Sequence, residues 1–282
     1  ILYEASDCRF IYIQLMTPAY HRLYIFTGKG GVGKTSLAMA FTKYLESKNQ
    51  KVKYNCFHQL PEKSLQAELH LPTIELSLET SAEVYIGRKL NSTTIASWIM
   101  KTHFFKSLFQ MIPGLGHMIL LGHLIDELER DPSLIIVLDS PASGHALTMF
   151  ESTSNFKNIF KTGLVVKDIE RMQRFLKGAN NLKTHVITLA TELSLTEAMD
   201  LKAELDNNLT DTDAHTDLVV NDSFKKFFEK HLIDESVLPD FLKQKVELEK
   251  DIVSKYTTLP HIDRTSPTQI VQELSHYVEG LV

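Results

Sequence analysis

The sequence predicts an α/β fold, a mostly parallel sheet with helices on both faces and a small helical insertion. Three observations carry this. Short apolar and aromatic runs bounded by turn-forming residues alternate with longer stretches whose apolar residues recur at helical spacing. The first of those runs ends in a glycine cluster that opens directly into a helix-patterned stretch. The 282 residues, 43% hydrophobic and 23% charged, suit one large domain and exclude a disordered chain, a collagen-like fibre and a coiled-coil rod.

Taken in order, Leu23-Tyr24-Ile25-Phe26 is a continuous apolar run, as expected of a strand buried on both faces. Residues 34–47 place Leu37, Ala38, Phe41, Tyr44 and Leu45 on one helical face. Residues 51–56 form a second strand, more polar than a central parallel strand should be. Residues 82–129 read as two or three helices, with Met111-Ile112-Pro113-Gly114 forcing a turn. The strongest strand is Leu134-Ile135-Ile136-Val137-Leu138, which ends at Asp139. Helical patterning continues to Leu176, and residues 185–189 are a further strand. Ser194-Leu195-Thr196-Glu197 is a capping box opening the helix that carries Met199, Leu201 and Leu205. A polar loop precedes a strand at 217–221, followed by two helices and a weak strand near Leu259. Ser266, Pro267 and Gln269 supply the N-cap, N1 and N3 positions of a last helix. Residues 1–21 are an N-terminal extension that need not belong to the fold, and whether residues 1–15 are native is open. Residues 22–282 form one domain, with helical insertions at about 82–130 and 150–180.

Composition narrows the function classes. A formal net charge of -5 gives no global attraction to nucleic acid or acidic lipid. The two cysteines, Cys8 and Cys56, exclude a disulfide scaffold and a cysteine-based zinc site within one chain, and point to a reducing, cytoplasmic location. No apolar run is long enough for a membrane span, and the N-terminus lacks the order of a signal peptide. Twelve histidines occur without a ligand-like spacing such as H-E-x-x-H. Lys225-Lys226 and the lysines of residues 243–250 are interleaved with acidic residues and read as solvated helix faces.

Gly28-Lys29-Gly30-Gly31-Val32-Gly33-Lys34-Thr35 matches the phosphate-loop pattern G-x-x-x-x-G-K-[ST] without a departure, which makes the sheet that of a P-loop nucleotide triphosphatase. Glycines allow successive backbone N–H groups to converge on phosphate oxygens, and the following helix, from Lys34 through Ser36, adds its positive end. Lys34 reaches the terminal phosphates and the Thr35 hydroxyl ligates Mg²⁺. Asp139, a carboxylate closing an apolar strand, is the expected partner of that cation.

The string from Lys29 to Thr35 resembles the deviant Walker A motif of MinD, the nitrogenase iron protein and ArsA-type ATPases. The run Asp139-Ser140-Pro141-Ala142-Ser143-Gly144-His145-Ala146-Leu147 is similar to switch II of the ArsA and guided-entry (tail-anchored protein targeting) ATPases. The Ser194–Glu197 segment, the strand ending at Asn221 and Leu259-Pro260 extend the likeness from about residue 22 to the C-terminus. The resemblance implies a cytoplasmic Mg-ATP-hydrolysing dimer. In it Lys29 acts on the partner's nucleotide, Gly144 senses the terminal phosphate, Asn221 reads adenine and Pro260 lies against the base. It implies ATP-driven dimer closure coupled to a membrane-protein partner or hydrophobic client, without nucleic acid and without stable membrane insertion.

Three departures qualify the likeness. Where the family carries the switch I aspartate that orients water, an ungapped count from Thr35 reaches His58, with Glu62 nearby. The alternative to an active ATPase is therefore an ATP-binding regulatory subunit with weak or no hydrolysis, paired with an active paralogue. The arsenite and zinc cysteines have no counterpart, so soft-metalloid binding is not expected. A single nucleotide domain requires a homodimer or heterodimer to complete the site. The apolar series Met149, Phe150, Phe156, Ile159, Phe160, Val165, Val166, Met172, Phe175 and Leu176 is read as core or dimer packing ahead of a client groove.

Overall fold

The computed structural model describes residues 20–56, 63–74, 76, 78–103, 107, 114–140, 148–151, 163–209 and 215–282. Strands β1 (Leu23–Gly28), β2 (Lys51–Asn55), β3 (Leu134–Asp139), β4 (Leu182–Leu189), β5 (His215–Ser223) and β6 (Thr257–Pro260) form one 6-stranded sheet in the order β2-β3-β1-β4-β5-β6. Every pairing is parallel.

Alternation along the central strands decides how the layers form. On β1, Leu23 and Ile25 enter one apolar cluster while Tyr24 and Phe26 enter the other, and β3 divides Ile136 from Val137 in the same way. Period-two side-chain placement turns a continuous apolar run into two cores. One core lies under α1 (Lys34–Ser47), α10 (Pro267–Leu274) and the 3₁₀ turn Val278–Leu281, where Phe41, Leu45, Val271 and Val278 are sealed from solvent. The other lies under α5 (Leu115–Arg130), α6 (Leu164–Lys177) and α7 (Glu192–Asn208), with α3 (Leu78–Leu90) packed on α5 and the short α4 (Thr93–Lys101) packed on α3. A short α2 (Lys63–Glu68) follows β2, while α8 (Phe224–Lys230) and α9 (Asp240–Lys255) bridge β5 and β6. Arg22 fixes the start of β1, its guanidinium donating to the carbonyls of Leu128, Asp131 and Leu134 at 2.6–2.8 Å.

The structure sharpens several expectations. β2 is polar because it is an outer strand of the sheet. β4 starts earlier than its apolar text, because Lys183 pairs across to Asp217 of β5 at 2.6 Å, and β5 runs from His215 to Ser223, two residues beyond the expected strand at each end. The helix after β4 begins at Glu192, with Thr191 as N-cap accepting from the Ser194 N–H at 3.4 Å. Ser194 therefore does not cap; its hydroxyl instead takes the Leu189 N–H at 3.2 Å and joins helix to strand. Ser266 occupies the N-cap of α10 with Pro267 at N1, but its side chain makes no capping bond. Met149, Phe150, Val166, Met172 and Leu176 are core residues, whereas Phe156, Ile159 and Phe160 lie outside the described residues. Among the described residues no helix is long and apolar enough to cross a membrane.

Candidate functional site

The loop that follows β1 leaves the sheet at the carboxyl ends of the strands. Parallel register puts Asp139 of β3 beside Phe26, Ile187 of β4 beside Gly28 and Asn221 of β5 beside Leu189. Four strands thus deliver their ends to one edge, the usual ligand-binding end of an open parallel sheet.

Glycine is needed at two points of the turn. Gly28 has φ 137° and passes so close to β4 that a Cβ there would sit 2.3 Å from the Ile187 carbonyl oxygen. Gly33, at the N-cap of α1, has φ 90°, and a Cβ would sit 2.4 Å from Asn221 Nδ2. Side chains at Gly30 and Gly31 would meet nothing within 4 Å, so the concave side of the loop is open. No N–H of residues 29–33 donates to a backbone acceptor among the described residues. Open N–H groups backed by the positive end of α1 suit an anion.

Lys34 lies 8% exposed under that loop, and its Nζ donates to the Lys29 carbonyl at 2.8 Å. Burial pulls its ammonium below the usual range, and the charge of Asp139 pulls it back up. Thr35 Oγ1 donates to Asp139 Oδ2 at 2.7 Å. A second donor on the same oxygen is Tyr54 of β2, whose hydroxyl lies 3.0 Å away. Burial pushes the Asp139 carboxyl up, while Thr35, Tyr54 and Lys34 hold it down. The other oxygen, Oδ1, is buried and has no hydrogen-bond partner among the described residues.

A magnesium ion suits this donor set. Thr35 spends its only proton on Asp139, which leaves its lone pairs for a hard cation, and an unpartnered carboxylate oxygen stands ready for the cation's water shell. The phosphates would be held by Lys34 and the open N–H groups.

The remaining sequence-derived site residues divide into three groups. Lys29 has a half-exposed side chain, ion-paired at 2.6 Å with Glu197 of the same chain beside a cleft of about 210 Å³. Ser36, Asn221 and Pro260 line a second cleft of about 290 Å³ next to the loop, walled by His261, whose ring stacks on Phe224 at 4.4 Å. Asn221 already spends its amide nitrogen on the Val32 carbonyl at 3.0 Å, so it braces the loop, and Val32 itself is a core residue. His58 and Gly144 lie outside the described residues.

Sequence reasoning missed Tyr54, Glu197 as the partner of Lys29, and Glu249. Glu249 sits in the lysine-rich stretch expected to be a solvated face, yet it is fully buried and accepts from Ser223 Oγ and the Lys225 N–H, both at 2.8 Å. Its spacing in α9, three residues after buried Val246, was the available signal. No family model matches the chain, and a search of curated proteins finds no significant match.

Proposed function

We propose that this chain is a P-loop ATPase of the ArsA and guided-entry type, which binds Mg-ATP and hydrolyses it as a dimer. The observation that carries the reading is the Thr35–Asp139 hydrogen bond beneath an open glycine cradle, with Lys34 tied to the same loop. Strand-end carboxylate, helix-start hydroxyl and loop lysine converge there from separate parts of the chain, which a chance glycine turn does not require.

In this reading Lys34 exchanges the Lys29 carbonyl for a phosphate oxygen, and the loop N–H groups hold the rest of the anion. When bound, the cation supplies neutralisation of charge on the phosphate oxygens. Thr35 and Asp139 hold that cation, the cleft at Asn221 and Pro260 receives the base, and Lys29 leaves Glu197 to complete the partner's site. Gly144 and the segment at His58 serve as switches that couple the terminal phosphate to dimer closure. The output is work on a membrane-protein partner or hydrophobic client from the cytoplasmic side.

The histidine at position 58, where the family carries aspartate, supports a second reading: an ATP-binding regulatory subunit with little hydrolysis, partnered by an active paralogue. Phosphate release by the purified chain separates the two, with Lys34→Ala and Lys29→Ala as controls. The ATPase reading expects release that both substitutions abolish. ATP binding without release above the controls favours the regulatory subunit, and absence of ATP binding refutes both.

A further inference from the structure

Among the described residues, Tyr54 is the one fully buried hydroxyl donor that the phosphate-loop pattern does not call for and that nonetheless touches Asp139. Its side chain is 0% exposed on an outer strand whose other residues are largely polar. The backbone around it is clamped from both sides. Tyr54 pairs with Val137 of β3 on one flank. On the other its N–H donates to the Pro72 carbonyl at 2.7 Å, and its carbonyl accepts from Ile74 at 2.9 Å. The next residue, Asn55, adds a side-chain bond to the Ile74 carbonyl at 2.7 Å. A hydroxyl held this firmly is a fixed reference point.

That reference point acts on one oxygen of Asp139. Tyr54 and Thr35 both donate to Oδ2, at 3.0 and 2.7 Å, while Oδ1 is buried and has no partner among the described residues. The terminal torsion of an aspartate is broad, so the tilt of the carboxylate plane has no strong intrinsic preference. Two charge-assisted donors on one oxygen remove that freedom.

We infer that Tyr54 is the positioning residue of the cation site, fixing Asp139 so that Oδ1 alone faces the cation and the Thr35 lone pairs are kept free for it. The inference rests on the nucleotide reading above and adds to it the group that sets the metal-side geometry. It also gives β2 a functional reason to carry a tyrosine where packing alone asks only for an apolar side chain.

The test uses the full-length chain with ADP and Mn²⁺ as probes. Free Mn²⁺ is followed by electron paramagnetic resonance to obtain its affinity for the protein–ADP complex, and ADP affinity is measured separately in EDTA. Removing a hydrogen-bond partner from a metal-holding group typically weakens metal affinity about 10- to 100-fold. Tyr54→Phe is expected to weaken Mn²⁺ binding by about tenfold while ADP affinity in EDTA moves by less than about twofold. Tyr54→Leu, which keeps an apolar side chain but changes the packing, is expected to give the same loss. In an Asp139→Asn background Tyr54→Phe should cause no further loss, because the tyrosine acts through that carboxylate. Unchanged Mn²⁺ affinity in Tyr54→Phe, or a parallel fall of Mn²⁺ and metal-free ADP binding, overturns the role. A wild-type chain that binds no ADP in EDTA refutes the nucleotide reading itself and this role with it.

Discussion

Glu249→Ala should destabilise the chain by about 3 kcal/mol, and the estimate follows from what surrounds the carboxylate. Oε2 accepts from Ser223 Oγ and from the Lys225 N–H, both at 2.8 Å, and Oε1 lies 3.2 Å from Lys245 Nζ. Each hydrogen bond to a charged group contributes about 1.5–3 kcal/mol, and removing one member of a buried ion pair costs about 3–5 kcal/mol. Lys245 is one-third exposed and can turn to water, which places the loss at the lower end of that range. Relief of the buried charge offsets part of the lost hydrogen bonding, while the vacated volume and the orphaned, fully buried Ser223 hydroxyl add to the cost. For a domain of this size about 3 kcal/mol lowers Tm by about 6–12 °C. The assay is urea unfolding followed by far-UV circular dichroism, with an unchanged m value showing that the folded state keeps its extent. Glu249→Gln, which retains an acceptor but not the charge, should fall between the wild type and Ala. An Ala variant within about 0.5 kcal/mol of the wild type would refute the claim that this carboxylate anchors α9 to the end of β5.

Gly33→Ala should abolish nucleotide binding, because the new Cβ would meet Asn221 Nδ2 at 2.4 Å in a backbone conformation of φ 90°; equilibrium dialysis with labelled ADP checks it. Glu197→Gln should free Lys29, but the pair is exposed and contributes at most about 1 kcal/mol, so any gain in nucleotide-driven self-association, read by light scattering, should stay below about fivefold and vanish at high salt. His185 is packed in the core against Tyr24, Phe26 and Phe41, and burial pulls its imidazole down to about 3. Its folded value lies below the unfolded one, so the stability it contributes is complete above about pH 6.5 and is lost as pH falls toward 3, by about 1.4 kcal/mol per pH unit. His185→Leu should flatten the stability profile by that slope between pH 4 and 6; an unaltered slope would show that this histidine is not the group responsible.

Much of the fold was legible because local text and global packing agree. The apolar runs of β1 and β3 are continuous since both faces of those strands are covered, and α1 was bounded correctly at both ends by the loop before it and the polar turn after it. The phosphate loop was legible for a stricter reason: glycine positions, lysine and threonine must lie in fixed order over a few residues for the backbone to turn around an anion. Polar positions were harder. Lys183 sits inside β4 because Asp217 of β5 neutralises it across the sheet, and Thr191 displaced Ser194 as N-cap because the chain turns sharply after Leu189. Neither follows from hydrophobic periodicity.

The sequence by itself determined the sheet class, the glycine-rich loop and the two residues, Thr35 and Asp139, that meet beneath it. These depend on short-range geometry and on the cost of a carboxylate at the end of an apolar strand, both of which one dimension records. Tertiary structure alone decided what surrounds them: that Tyr54 donates to the same oxygen of Asp139 as Thr35, that Asn221 braces Val32, that Lys29 rests on Glu197 and that Glu249 of α9 is buried against the end of β5. Those contacts join residues 24 to 189 positions apart. A hydrogen bond constrains only the final distance between two groups, so the sequence separation carries no trace of it.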